Sequence, residues 1–563
     1  MTDLAKLADR PRTAVALVAV LAALVYAGTL GHALVWDDAN VLAGVRAAAA
    51  RGAGALLGAE FLPDTGYHRP VVLLSLRLDD LLGGGAPLLF HLTNVLLHAL
   101  ASALTLLLLR AWLRHAAAAL AGALLFAVHP AHVESVAFVS GRTDLWVAAL
   151  GLAAALAWTW WRRGARRAGP AAILLFLASL FAKESAYLLP AGMLVVSALL
   201  PLDDPREGRG RDPRPWWRRQ AGWLAAAALT MAAAAALRLG VAGLGFGEAA
   251  ATAGSRLGAD LGTRLGHLPA LAAWYLRLLL LPWPLNAYWS TQHLTPGVLT
   301  WAAALLAVGV AALARRRGAA GAAWIALFLL PVLGFAPLQG APFAERFLYL
   351  PSFGWCLIAG ALYARVAAAG RGRLAAGVTA VLVLLLAAAT LVRVPVWKDD
   401  ATLFTDMARR SPAEDIVQHN LGAALHRAGD TAGSMAAYRR AVAMAPNHEP
   451  SLRALGVAEG AAGNFEVSFD LLRRAVAADP RRPESHYNYA VIANQLGRVE
   501  LAETHFRRAI ELRPDYALPV AGLCELLAAR GDAEGARRQL AALQRLDPRL
   551  AADTQRRLAG TSP

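Results

Sequence analysis

Residues Ala14–Leu42 read AVALVAVLAALVYAGTLGHALVWDDANVL. From Ala14 to Trp36 no residue carries a formal charge, and then two carboxylates, Asp37 and Asp38, stand side by side. An unbroken apolar run of this length is long enough to cross a bilayer as a helix. Lys6, Arg10 and Arg12 precede it. The run is long for a signal-peptide core, so it reads as an uncleaved anchor with a cytoplasmic N-terminus. The acidic pair is then either a solvated span end or the reactive end of an enzyme working at the membrane face. Two adjacent carboxylates are also a candidate site for a divalent cation, and one of them is a candidate general base.

The composition extends the membrane reading to most of the chain. Of 563 residues, 57% are hydrophobic and only 17% charged, where a soluble domain carries about a quarter charged residues. The formal net charge is +16. The arginines fall in short clusters between apolar runs, as topology signals do, so nucleic acid is not an expected partner. The two cysteines, Cys356 and Cys524, lie far apart in unlike surroundings and do not suggest a disulfide framework.

Apolar runs of spanning length recur up to about residue 395. The expected spans are 13–35, 89–109, 116–130, 143–161, 170–183, 186–202, 220–240, 298–314, 319–337, 347–365 and 375–394, with 267–282 as a re-entrant or interfacial helix. Eleven crossings place the arginine clusters on one side and everything after Pro395 on the other. The fold class expected is all-α: a polytopic helix bundle over residues 1–395, a linker or first helix over 396–411, and a repeat solenoid over 412–563.

The repeats are read from period alone. Pro446, Pro480, Pro514 and Pro548 are spaced by 34, and so are Gly429, Gly463, Gly497 and Gly531. Amphipathic helix pairs lie between them, which is the tetratricopeptide pattern. About four such repeats would form a solenoid with a concave surface that binds a peptide or protein, or that serves assembly.

In contrast to the arginine-rich connectors, the expected outer loops are chemically varied. His68 and Arg69 open an amphipathic stretch that ends in Arg77, Asp79 and Asp80, reads as a helix lying in the membrane interface, and offers its first residues to a lipid head group. His91, Asn94 and His98 share one helical face, with His98 the deeper. His129 and His132, with Glu134, are candidates to share a metal across a turn. Arg142 is a candidate phosphate ligand, with Asp144 beside it. Lys183 and Glu184 stand between two apolar runs with no room for a solvated loop, and read as a buried ion pair. Glu345 and Arg346, followed by Tyr349, repeat that arrangement. Several cations and carboxylates on one face suit a phosphate-bearing substrate.

Together, VWDDANVL, YHRPVVLLSL, FHLTNVLLHAL, LFAVHPAHVESVAFVSGRTDLW, AKESAYLLP, ERFLYLPSFGWCL and VWKDDATLF, followed by the repeats, resemble the transmembrane-and-tetratricopeptide-repeat family of protein O-mannosyltransferases and, more broadly, the GT-C glycosyltransferases. The resemblance covers nearly the whole chain. It implies a lipid-phosphate sugar donor and transfer to a protein hydroxyl on the extracytoplasmic side. It also implies a catalytic acidic residue in the first outer loop, hence Asp37 or Asp38. Arg142, Lys183 and Arg346, with His129 or His132, would then stabilise the departing lipid phosphate, and the repeats would hold the acceptor. The Ala/Arg-rich composition points to a bacterial inner membrane, a polyprenyl-phosphate carrier and periplasmic repeats, with the sugar left open. A membrane-anchored repeat scaffold, or a transferase acting on a glycan or lipid, shares many of these features.

Overall fold

The computed structural model describes residues 7–62, 65–200, 216–242, 261–289, 295–332 and 343–560. These residues are helical or in connecting loops, apart from one isolated β-bridge between Trp289 and Phe343. The chain divides into two compact units, Met1–Leu403 and Phe404–Pro563. The division falls inside the stretch 396–411 read above as a linker, where the helix Asp400–Arg410 forms.

In the first unit, five helical segments among the described residues are long and apolar enough to cross a membrane: Pro11–Gly31, Pro87–Leu113, Val139–Arg162, Gln220–Gly240 and Ser352–Trp397. A sixth arises if Ala116–Val128 and Pro130–Ala137, bent by 49° at their junction, form one broken span. Five or six segments therefore qualify where eleven crossings were expected, and Ser352–Trp397 takes in two of the expected spans, 347–365 and 375–394. Ala168–Leu180, Glu184–Leu199 and Val298–Leu313 are apolar but only 10–17 residues long, short of the ~20 residues a straight crossing needs. Part of the expected span 319–337 lies outside the described residues. The 267–282 segment forms the helix Leu268–Leu280, 13 residues long.

The long segment Ser352–Trp397 is interrupted at Gly370, whose φ of +77° breaks the helix. Its two arms run in opposite directions against the helix Ala116–Val128. A Cβ on Gly122 would lie 2.6 Å from the Cys356 carbonyl oxygen and one on Gly360 2.8 Å from that of Ala118, so the first arm descends past this helix. The Thr390 hydroxyl donates to the Val128 carbonyl at 2.7 Å, so the second arm returns to the helix's C-terminal end. Small residues let these backbones approach closely, the packing device of helices that have no hydrophobic driving force between them in lipid. Large apolar side chains such as Leu24, Leu96 and Leu384 remain exposed on the outside of the unit.

In the second unit, four helix pairs stack in order, from Asp415–Arg427 with Thr431–Met444 to Ala517–Ala529 with Ala533–Leu546, followed by the helix Pro548–Leu558. The recurrent glycines close the turn within each pair with φ between +72° and +85°, a region open to glycine at no steric cost. The last helix buries only Ala551 and Thr554 and turns a strongly polar face outward, as a terminal cap must.

Candidate functional site

The first long helix ends in the turn Ala27–Gly31, and a short extended loop leads to the helix Asp38–Ala50. Here the acidic pair separates into unlike groups. Asp38 is fully buried. Its carboxylate accepts hydrogen bonds from the Ser140 hydroxyl (2.6 Å) and amide (2.7 Å), and from the Val35 (3.1 Å) and Val139 (3.4 Å) amides. Burial pushes its carboxyl up to about 7 against the pull of those bonds. Asp38 thereby ties the loop to the segment 139–140. Asp37 is half-buried, and its carboxylate has no hydrogen-bond partner among the described residues. Burial raises its proton affinity, the positive charge of Arg346 lowers it, and the negative charge of Asp400 raises it, leaving it above the ordinary carboxylate value.

The cations expected to hold phosphate also differ from one another. Arg142 is wholly buried and its guanidinium is already spent. It pairs with Asp79 at 2.6 Å and donates to the Asn94 side-chain oxygen (2.8 Å), the Ser75 hydroxyl (3.1 Å) and the Phe90 carbonyl (2.7 Å). This corrects the reading of Arg142 as a phosphate ligand: it fastens three helices together. Lys183 does not pair with Glu184. Its ammonium meets Asp144 at 2.5 Å, while Glu184 meets Arg69 at 2.7 Å and Arg238 at 3.5 Å. Likewise, Arg346 does not pair with Glu345. Its guanidinium and its amide both engage Glu134, the amide at 2.9 Å, while buried Glu345 accepts from the Asn286 amide. Lys183 feels the charges of both Arg69 and Arg346, and Arg346 feels that of Asp144. Asp37, Arg346, Lys183 and Arg69 thus belong to one electrostatic neighbourhood, and part of Arg346 remains exposed.

The histidines serve the scaffold. His129 Nε2 faces the Leu279 carbonyl (3.2 Å), His132 Nε2 the Ser352 hydroxyl (2.8 Å), and His98 Nδ1 the Tyr349 hydroxyl (2.7 Å). These buried groups hold the break after Val128 in place, so His129 and His132 leave the phosphate-binding set. The shared metal read from His129, His132 and Glu134 does not form either, because the three face different partners, and the described residues contain no cluster of three His, Cys, Asp or Glu side chains that could hold a metal ion. His91 Nε2 faces the Ala33 carbonyl at 3.3 Å, and Asn94 donates to the Val136 and Phe138 carbonyls at 3.2 and 3.1 Å, so this helix face steadies both loops. His68 faces the Leu57 carbonyl at 2.8 Å, and Arg69 lies over the Tyr67 ring. Both are buried and neither is offered to a head group. Asp80 meets Arg46 and Arg77, while Leu78, Leu81 and Leu82 of the same helix stay exposed.

Sequence reasoning passed over Ser140, Asp400 and Arg238. Only Arg238 carried a signal, as an ionisable residue inside an apolar span.

Two tetratricopeptide-repeat family models match the chain, over residues 417–448 and 453–517. The chain is similar to the protein O-mannosyl-transferase Tmtc1 of Drosophila melanogaster, 44% identical over 133 residues, which is 22% of this chain and 16% of that protein. A protein O-mannosyl-transferase of Caenorhabditis elegans is 25% identical over 407 residues, 68% of this chain and 54% of that protein. Among solved structures, MamA 41-end from Desulfovibrio magneticus RS-1 is similar with a TM-score of 0.25 and 17% identity, covering 26% of this chain and 84% of that one. The matches thus span about half the length of these curated relatives, or less. The relatives, the repeats and the membrane helices agree in one respect: the chain is similar to TMTC-like protein O-mannosyl-transferases and combines membrane helices with tetratricopeptide repeats.

Proposed function

We propose that this chain transfers a hexose, mannose by the names of its relatives, from a polyprenyl-phosphate donor to a Ser or Thr hydroxyl of a protein acceptor at the extracytoplasmic membrane face. In this reading the repeats bind the acceptor or a partner, and the membrane is the inner membrane of a bacterium. The observation that carries the reading is the contrast within the acidic pair. Asp38 is locked by four hydrogen bonds, while Asp37 keeps an unengaged carboxylate within the field of Arg346.

Asp37 takes the proton of the acceptor hydroxyl as that oxygen attacks the anomeric carbon. The bond from the anomeric carbon to the lipid phosphate oxygen breaks, and the configuration inverts. Arg346 and Lys183 meet the charge that develops on the leaving phosphate, trading part of their pairing with Glu134 and Asp144 for it. Preorganised charge of this kind acts strongly in a water-poor site. Arg69 and Glu184 set the field around Lys183. A divalent cation remains a candidate cofactor that these residues do not by themselves require.

The test is mass spectrometry of envelope glycoproteins from wild type, a deletion strain and an Asp37→Asn strain with equal protein levels. Loss of the same Ser/Thr-linked hexoses in both mutants is expected. A deletion phenotype that Asp37→Asn does not share would sink the enzymatic reading in favour of a repeat scaffold, and loss of glycan or lipid hexoses instead would change the acceptor class.

A further inference from the structure

Trp36, the residue before Asp37, has a φ of +56°. For a bulky L-residue this left-handed conformation is uncommon and strained, so surrounding structure must hold it. Its amide donates to Asp400 Oδ1 at 2.7 Å, across 364 residues of sequence. Two further contacts bring the same distant segment to this loop. The Ala33 amide donates to the Lys398 carbonyl at 2.9 Å. The Trp36 ring stacks on Phe138 at 5.9 Å, and Phe138 packs on Trp397 at 5.6 Å. Asp37 is therefore suspended between two fixed neighbours, Trp36 held by Asp400 and Asp38 held by Ser140, while its own carboxylate stays unbonded.

We infer that Asp400 is a positioning residue: by accepting the Trp36 amide it holds the left-handed turn that aims the Asp37 carboxylate. The inference rests on the proposed role of Asp37. A charged acceptor at 2.7 Å makes a strong hydrogen bond, and that bond offsets the conformational cost of the turn. Without it Trp36 relaxes toward an extended conformation and Asp37 swings with it. The reacting groups need not be lost for the rate to fall, because a displacement of about 1 Å at a catalytic group can cost about a hundredfold.

The experiment uses the full chain in detergent, with Asp400→Ala and Asp400→Asn. Asn keeps an oxygen at the acceptor position and Ala does not. Amide hydrogen exchange of the peptide containing Trp36 reads the hold directly and needs no activity. Turnover of a polyprenyl-phosphate hexose with a Ser/Thr peptide reads its consequence. Asp400→Ala is expected to speed exchange at Trp36 and to lower kcat about tenfold with the donor KM unchanged, and Asp400→Asn to recover most of both. Unchanged exchange in Asp400→Ala overturns the inference, as does faster exchange with an unchanged kcat, or a loss that Asn does not repair. If wild type transfers no sugar while the exchange pattern holds, the glycosyltransferase reading fails and the Asp400–Trp36 hold stands.

Discussion

Replacing Asp37 with Asn exchanges a proton acceptor for an amide of nearly the same shape. No hydrogen bond is lost, so the thermal unfolding midpoint should stay within a degree or two, while kcat falls by roughly 10²–10⁴, the usual worth of a general base. Asp38→Ala should do the reverse damage. It strands three backbone amides and the Ser140 hydroxyl in a buried site, at roughly 1–3 kcal/mol for each donor left unpaired, so a lowered unfolding midpoint should accompany any loss of activity. Equal behaviour of the two variants would remove the distinction drawn between them. The pH profile supplies a second check. A base works ionised, and burial and the Asp400 charge raise the Asp37 carboxyl more than Arg346 lowers it. The acid limb of kcat/KM should therefore lie above the ordinary carboxylate value of about 3.9. Arg346→Gln removes the cation that lowers it, and the limb should move to higher pH, whatever the drop in rate. A limb that does not move would exclude Asp37 as the titrating base. The sequence showed both carboxylates but not which was free, because the difference is made by Ser140 and Arg346, far away in the chain.

The helices obey the same logic. The adjacent charges Lys183–Glu184 and Glu345–Arg346 looked like ion pairs in sequence, yet each charge reaches a different element. Consecutive side chains on a backbone diverge, so adjacency in sequence marks a charged junction without naming its partners. Close helix contacts were equally hidden. At the crossing of helices Arg315–Leu329 and Ser352–Val366, a Cβ on either Gly321 or Gly354 would lie 2.4 Å from the other's carbonyl oxygen. Gly321→Ala must push these backbones apart, an overpacking expected to cost about 1–3 kcal/mol. Gly377→Ala, where nothing lies within 4 Å of the added carbon, should leave the midpoint unchanged or raise it slightly, since Ala favours the helix. Comparing the two unfolding midpoints in the same detergent tests the crossing, and similar values would contradict it.

At the scale of the whole chain, periodicity was the most legible feature. A 34-residue repeat specifies the second unit almost completely, because each repeat packs only on its neighbours. The first unit was less legible. Hydropathy marks apolar runs but does not say whether a run of 13 residues crosses, bends or stops, and among the described residues five or six segments are long and apolar enough to cross where eleven spans were read. The two units have separate cores, and this bears on function. If the chemistry resides in Asp37, Arg346 and Lys183, all of it lies within residues 1–403, and the repeats act on the acceptor alone. A chain ending at Arg410, which keeps the whole helix that carries Asp400, should then remain in the membrane fraction and still transfer hexose to a short Ser/Thr peptide at a similar kcat, while KM for a folded protein acceptor rises by about a hundredfold or more, the scale on which a lost linked binding site is felt. Residues 411–563 expressed alone should unfold cooperatively as a helical domain and bind the acceptor or its peptides. A truncated chain that keeps its donor KM but loses kcat even on the short peptide would place part of the catalytic machinery in the repeats, and the division of labour argued from the separate cores would have to be abandoned.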